Sequence, residues 1–358
     1  VGERRGLFDD EDRLLSVCAH HIFNTRIRGG WYDLGGLSAV ATPPEYRRQG
    51  LTERMLEEAL AEYRDRGLFV SALWAFSDPF YAQYGWQTAN RLLVQEGPPA
   101  AFSFAREHEA GSFFEAAPGD WEALDDVLGS HDSNYELAID RTREWWEKRV
   151  FSGWESDPYV YAWEEDGTVE GYVVYDVEET DDGSAQIQVR DFAYASHRAR
   201  LNLLRFLANH EDQIDSVKLV SHPDESLLDL VPDPSKLTFT VRSGPMVRLV
   251  DVEAGLSAIS YPPSLETRLT IRVRDSMADW NDGSFSVEFS EGVARVDRTD
   301  AEPDVTIDVG RLSQLFVGYR SLGALRTETD GVEVADEAAF ETLGTAFPER
   351  TVYLREGF

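Results

Sequence analysis

Lysine is nearly missing from this sequence. Lys148, Lys218 and Lys236 are the only 3 among 34 basic residues, which face 66 acidic ones, for a formal net charge of -32 over 358 residues. No basic stripe exists to neutralise phosphates, which argues against a nucleic-acid partner. The acids are dispersed and 42% of residues are hydrophobic, so the chain reads as folded domains under an acidic coat rather than as a disordered tail. We read the coat as a halophilic, salt-adapted surface. The single cysteine, Cys18, excludes an intramolecular disulfide framework and a thiolate metal cluster, and in a strand it reads as a small core residue. No apolar run reaches the roughly eighteen residues of a membrane span and no signal peptide opens the chain; a cytoplasmic protein with no membrane partner is expected. His20 and His21 are adjacent and face opposite sides of a strand, and the other histidines lack ligand spacing, so no metal is expected. Gly-x-Ser-x-Gly is absent, which argues against a hydrolase. Val1 is not a start methionine, which suggests that upstream residues are missing.

The length allows two or three domains. In the first hundred residues strands and helices alternate: "RLLSVCAHHIF" and "GGLSAVAT" as strands, "LTERMLEEALAEYRDR" as a helix, "GLFVSALWAF" as a buried strand, "DPFYAQYG" as a short helix and "QTANRLLVQE" as a strand. Leu51, Met55, Leu56, Ala59, Leu60 and Tyr63 form one helical stripe and Gly67 ends it. "QEGPPAAF" reads as a linker. The second block, 101–245, repeats the order of a strand, a helix and a further strand, with a hairpin turn at Asp166 and Gly167, and suggests a diverged duplication. The third, 246–358, has strands joined by polar turns, then amphipathic helices "RLSQLFVGYRSLGAL" and "DEAAFETLGTAF".

The segment "PPEYRRQGLTERM" places Arg47, Arg48 and Gly50 at the mouth of the patterned helix. A helix start offers backbone N–H groups without intrahelical partners and a positive dipole end, glycine permits close approach, and arginine supplies charge. That is a pyrophosphate cradle by physical criteria. It is neither a Walker loop nor a Gly-x-Gly-x-x-Gly fingerprint. The plain alternative is that both arginines solvate a loop and pair with nearby carboxylates.

The succession of "LSAVAT", "PPEYRRQGLT", a helix, a buried strand and "FYAQYGW" resembles the acetyl-CoA-binding core of the GNAT N-acetyltransferases. With a second, degenerate copy, the "GPMVRLVDV" junction, a sterol-carrier-like third block and a terminal phenylalanine, the layout resembles the Eis (enhanced intracellular survival) family. The resemblance implies a mixed α/β (α+β) fold: an acetyl-CoA-binding GNAT domain over 1–100, a degenerate GNAT-like domain over 101–245 and a sterol-carrier-protein-like α+β domain over 246–358. It implies that Val40, Ala41 and Thr42 bind the pantetheine arm, that Arg47, Arg48, Gln49, Gly50, Leu51, Thr52 and Glu53 form the pyrophosphate loop, and that Phe76 and Ser77 add a coenzyme contact. Thr52 departs from the small residue usual there. The resemblance further implies Tyr81 as proton donor to the departing thiolate and the Phe358 carboxylate as proton acceptor.

From the residues alone, Tyr81 reads first as a core residue and Phe358 as a frayed end, although "TVYLREGF" is apolar and strand-like and favours docking. Trp31, Trp74, Trp86 and Tyr84 read as core or as substrate-pocket residues. The loop equivalent to the cradle in the second block, "SHRARLN", has no glycine, so no coenzyme is expected there. The function implied is acetyl transfer from acetyl-CoA to a small-molecule primary amine of aminoglycoside or polyamine type, by direct attack in a ternary complex. The alternatives are a protein or peptide N-acetyltransferase and a non-enzymatic carrier of an apolar ligand. Gly357 stands where a carboxylate before the terminal residue would help to hold a polycation. A homo-oligomer, a hexamer in the family, is implied by resemblance alone.

Overall fold

The alternating strand at the start of the chain is longer than its pattern suggests, because its buried face changes partway. The structure, a computed structural model, describes residues 2–153, 155–181 and 183–358; Val1 lies outside the described residues. In β2 (Leu14–Ile27) the even positions Ser16, Cys18 and His20 are buried first, then the odd positions Phe23, Thr25 and Ile27. Successive side chains of a strand point to opposite faces. One face of β2 is therefore covered at one end and the opposite face at the other. β1 (Glu3–Phe8), which the sequence pattern did not reveal, and β3 (Gly30–Ala41) flank β2 in antiparallel register.

Helix α1 (Leu51–Asp65) buries Met55, Leu56, Ala59, Leu60 and Tyr63, as its stripe predicts. Burial of each large side chain contributes roughly 1.5–3 kcal/mol. Gly67, at φ 76°, closes the helix, and Leu68 N–H donates to Tyr63 O. The buried strand that follows is shorter than its apolar run: β4 (Val70–Leu73) ends where Trp74 turns to bond the C-terminal tail and Phe76 emerges 73% exposed. Next come α2 (Asp78–Ala82) and β5 (Gln87–Thr88).

The chain divides into two compact units. One comprises Val1–Asn90, Tyr135–Ile139 and Gly244–Phe358, the other Arg91–Asn134 and Asp140–Ser243. The first unit holds the sheet β1-β2-β3-β4, continued by the strand Met246–Leu249 and then β5. It also holds a five-stranded sheet in which Thr267–Arg274 pairs parallel with Val305–Asp308. The expected helix "RLSQLFVGYRSLGAL" is two helices, Val309–Val317 and Leu322–Glu328, broken at Gly318 with φ 89°.

In the second unit a seven-stranded sheet packs on the helix His197–Ala208 around Phe102, Trp163, Ile187 and Leu203. The Asp166-Gly167 turn has positive φ at both residues, 52° and 79°, as an Asp-Gly hairpin requires. Two readings are corrected. "QTANRLLVQE" is not one strand: Ala89 N–H donates to Pro245 O and Gly244 N–H to Asn90 O, and the strand Arg91–Gly97 pairs in the second unit's sheet. The prolines of "QEGPPAAF" open a short 3-10 helix, Pro99–His108, whose Phe102 is fully buried, so that stretch is core rather than linker.

Candidate active site

The site begins with a bulge. Ala19 pairs with Ser38 and Val17 with Ala41, so Cys18 alone opposes Ala39 and Val40, and Ala39 takes a positive φ of 51°. β3 runs parallel to β4 only from Gly35 to Leu37, then continues to Ala41 after β4 has ended. On the side away from β2, the backbone of Val40 and Ala41 thus faces an opening rather than a strand.

The chain then turns through Pro43 and Pro44 into the loop. Arg48 and Gly50 are left-handed, at φ 61° and 76°, and Gly50 is the N-cap of α1 with no side-chain cap. The first helical bond runs from Arg54 N–H to Gly50 O, so the N–H groups of Leu51, Thr52 and Glu53 precede the helix's own bonding. A Cβ added at Gly50 would meet nothing within 4 Å. Arg47 Nε donates to Thr42 O at 3.1 Å. Among the described residues neither Arg47 nor Arg48 is in an ion pair, whereas Arg5, Arg13, Arg64 and Arg66 of the same unit are. Both side chains are exposed, so of the plain alternative the carboxylate pairing is not seen while the solvated loop is compatible with the structure.

A cavity of about 600 Å³ opens here, lined by Val40, Ala41, Thr42, Tyr46, Arg47, Arg48, Gly50, Leu51, Thr52, Glu53, Phe76, Phe80 and Tyr84. Ten of the predicted residues line it together. Gln49 and Ser77 do not: Gln49 donates to Glu45 O within the loop, and Ser77 precedes α2 as its N-cap. Sequence reasoning missed Tyr46 and Phe80 and left Tyr84 as core or substrate pocket; "FYAQYG" signalled aromatics but not their direction. Thr52 departs from the small residue for a visible reason. Its hydroxyl lies 3.2 Å from that of Thr42, which lies 3.0 Å from Ser16 Oγ, and the three tie β2, β3 and α1 together.

Tyr81 is not a lining residue. It is 3% exposed, one ring behind Phe76 and Phe80, whose centroids lie 5.6 and 5.1 Å away. Burial pushes its phenol up to about 12, with a further push from Cys18, so it is a neutral hydrogen-bond donor at any working pH. Cys18 is a core residue, as expected: burial pushes its thiol up to about 11, and its Sγ lies 3.4 Å from His20 Nε2.

The C-terminus is docked, not frayed. Leu354 N–H donates to Asn90 Oδ1, Tyr353 N–H to Glu136 O, and Trp74 Nε1 to Glu356 O at 2.7 Å. Gly35 and Gly36 show which face it takes. A side chain at Gly35 would strike Tyr63 on the α1 face, while one at Gly36 would strike the rings of Phe23 and Phe358 on the other. The Phe358 ring lies 4.8 Å from Phe23 and 5.6 Å from His21. His20 and His21 do point to opposite faces, His20 towards Tyr63 and Glu62. Of the candidate pocket aromatics, Trp86 is fully buried and Trp31 is an exposed residue of β3. Among the described residues no cluster of His, Cys, Asp and Glu could hold a metal ion, and no helix is long and apolar enough to cross a membrane.

The chain matches family models described as an acetyltransferase (GNAT) domain over residues 2–89, a second acetyltransferase (GNAT) domain over 137–249 and a sterol carrier protein domain over 252–355. It is 26% identical over 343 residues to an uncharacterized N-acetyltransferase of Streptomyces griseus, spanning 89% of this chain and 82% of that one. It is 26% identical over 335 residues to the N-acetyltransferase Eis of Mycobacterium tuberculosis, spanning 87% and 77% respectively. In fold it is similar to the crystal structure of a GCN5-related N-acetyltransferase from Anabaena variabilis, with a TM-score of 0.85, 21% identity and coverage of 99% of this chain and 89% of that one.

Proposed function

We propose, on the premise that this chain is an Eis-like N-acetyltransferase of the GNAT type, that it transfers acetyl from acetyl-CoA to a primary amine of a small, cationic molecule. The observation that carries this reading is the uncapped N-terminus of α1, opening on a cavity of about 600 Å³ with Arg47 and Arg48, neither of them in an ion pair among the described residues. The pyrophosphate lies against the N–H groups of Leu51 to Glu53, and the arginines neutralise it. The pantetheine arm follows the opening beside Val40 and Ala41, whose backbone polarises the thioester carbonyl.

The amine nitrogen attacks the thioester carbon directly, its proton passes to the Phe358 carboxylate, and the C–S bond breaks as Tyr81 donates a proton to the thiolate. Direct attack is favoured by Cys18, the only thiol, being buried and neutral. Docking of the tail against Phe23 and Trp74 supports the role of Phe358. The acidic coat is a salt-adapted surface, which predicts a melting temperature that rises steeply with salt. Calorimetry with acetyl-CoA tests the coenzyme; no binding would overturn the reading. A variant lacking Phe358, or extended beyond it, should bind the coenzyme and not turn over, and undiminished turnover would move the base elsewhere.

A further inference from the structure

The segment Tyr81–Trp86 is held by Arg248, on the strand inserted between β4 and β5, and through it by Asp275 of the sterol carrier domain. Tyr84 N–H and Trp86 N–H both donate to Tyr81 O, at 3.0 and 3.3 Å, closing a tight turn directly after the tyrosine. Arg248, fully buried on the strand Met246–Leu249, donates from Nη1 to Tyr84 O. Its Nη2 donates to both oxygens of Asp275, at 2.8 and 2.7 Å, and its guanidinium lies 5.2 Å over the Trp86 ring. Asp275 is fixed in turn by the N–H groups of Met277 and Ala278 and by Asn281 Nδ2. At Gly85, φ 86°, an added Cβ would fall on the guanidinium, so the turn and the arginine fit only without a side chain there.

A planar fork held by a carboxylate at one end fixes the carbonyl at its other end in direction as well as distance. A lysine would keep the charge and lose the fork. A buried ion pair is weak evidence for stability by itself, because desolvation offsets the attraction. What this pair orients is the Tyr84–Gly85 peptide, in the turn whose Tyr84 and Trp86 N–H groups return to the Tyr81 carbonyl.

We propose that Arg248 and Asp275 are positioning residues for acetyl transfer: through the Tyr84 carbonyl they hold the turn that aims Tyr81 at the thioester sulfur. Asp275 of the sterol carrier domain thereby acts on the donor side of the reaction through Arg248. This inference rests on the reading of Tyr81 as the proton donor.

The test is a double-mutant cycle of Arg248→Lys with Tyr81→Phe in the full chain, with acetyl-CoA affinity and melting temperature measured on every variant. Arg248→Lys is expected to lower kcat by about 10-fold or more with KM and coenzyme Kd within about 3-fold, and to cost less than about 2-fold more once Tyr81 is phenylalanine. Losses that multiply across the cycle, or an Arg248→Lys enzyme with undiminished kcat, overturn the inference while leaving Tyr81 in its role. A Tyr81→Phe enzyme as fast as the parent overturns the reading of Tyr81 and this route with it. If Arg248→Lys does not fold, Asp275→Asn, which keeps shape and an acceptor oxygen, replaces it in the cycle: a kcat loss that vanishes once Tyr81 is phenylalanine supports the inference, and a loss that multiplies overturns it.

Discussion

The two GNAT domains share a frame and differ at one helix start. In both, a bulged strand leads into a helix that returns as a parallel strand: β3, α1 and β4 in the first, Ala185–Tyr194, His197–Ala208 and Ser216–Ser221 in the second. The first helix opens at Gly50 with no side-chain cap. The second opens at Ser196, whose hydroxyl accepts from Ala199 N–H and donates to Glu170. Its basic residues are committed as well: Arg198 pairs with Glu165, and Arg200 donates to Glu225 O and lies over the Tyr194 ring. On the proposed reading, the second domain keeps the fold without the site because Ser196 caps its helix and Glu165 holds Arg198.

The largest test of this contrast is charge reversal. Arg47→Glu with Arg48→Glu removes two charge-assisted contacts of about 1.5–3 kcal/mol each and should raise the acetyl-CoA Kd about 100-fold or more. Arg198→Glu with Arg200→Glu in the second domain should leave it unchanged in the same titration. Equal effects would erase the distinction. Next in size are the caps. Gly50→Ala forces a side chain into a left-handed position at about 1–2 kcal/mol and should weaken coenzyme binding about 10-fold, whereas Ser196→Ala should cost about 1 kcal/mol of stability by denaturant melts and nothing in affinity.

Much of the first helix start was legible in the sequence, because a glycine and two arginines before an amphipathic stripe constrain the backbone and its charge locally. Contacts over long sequence separations were not. The hydroxyl chain from Ser16 through Thr42 to Thr52, the insertion of Met246–Leu249 beside β4, and the reach of Arg248 back to Tyr84 depend on partners that no local pattern announces. Exposed Trp31 and buried Trp86 look alike as letters; Trp31 stands on β3, whereas Trp86 lies just before β5 under the Arg248 guanidinium.

The smallest predicted effect concerns pH. Burial raises Tyr81, so its neutral form persists up to about 12 and is lost only above that. The profile of kcat/KM should rise as the acceptor amine deprotonates and show no falling limb from Tyr81 below about pH 10. A fall near neutrality would assign the acid to another group.

The central claim is that the coenzyme enters the first GNAT domain and not the second. Calorimetric titration of the full chain with acetyl-CoA tests it most directly: a single equivalent per chain, abolished by Arg47→Glu with Arg48→Glu, is the predicted result, and two equivalents, or one that survives that substitution, would contradict it.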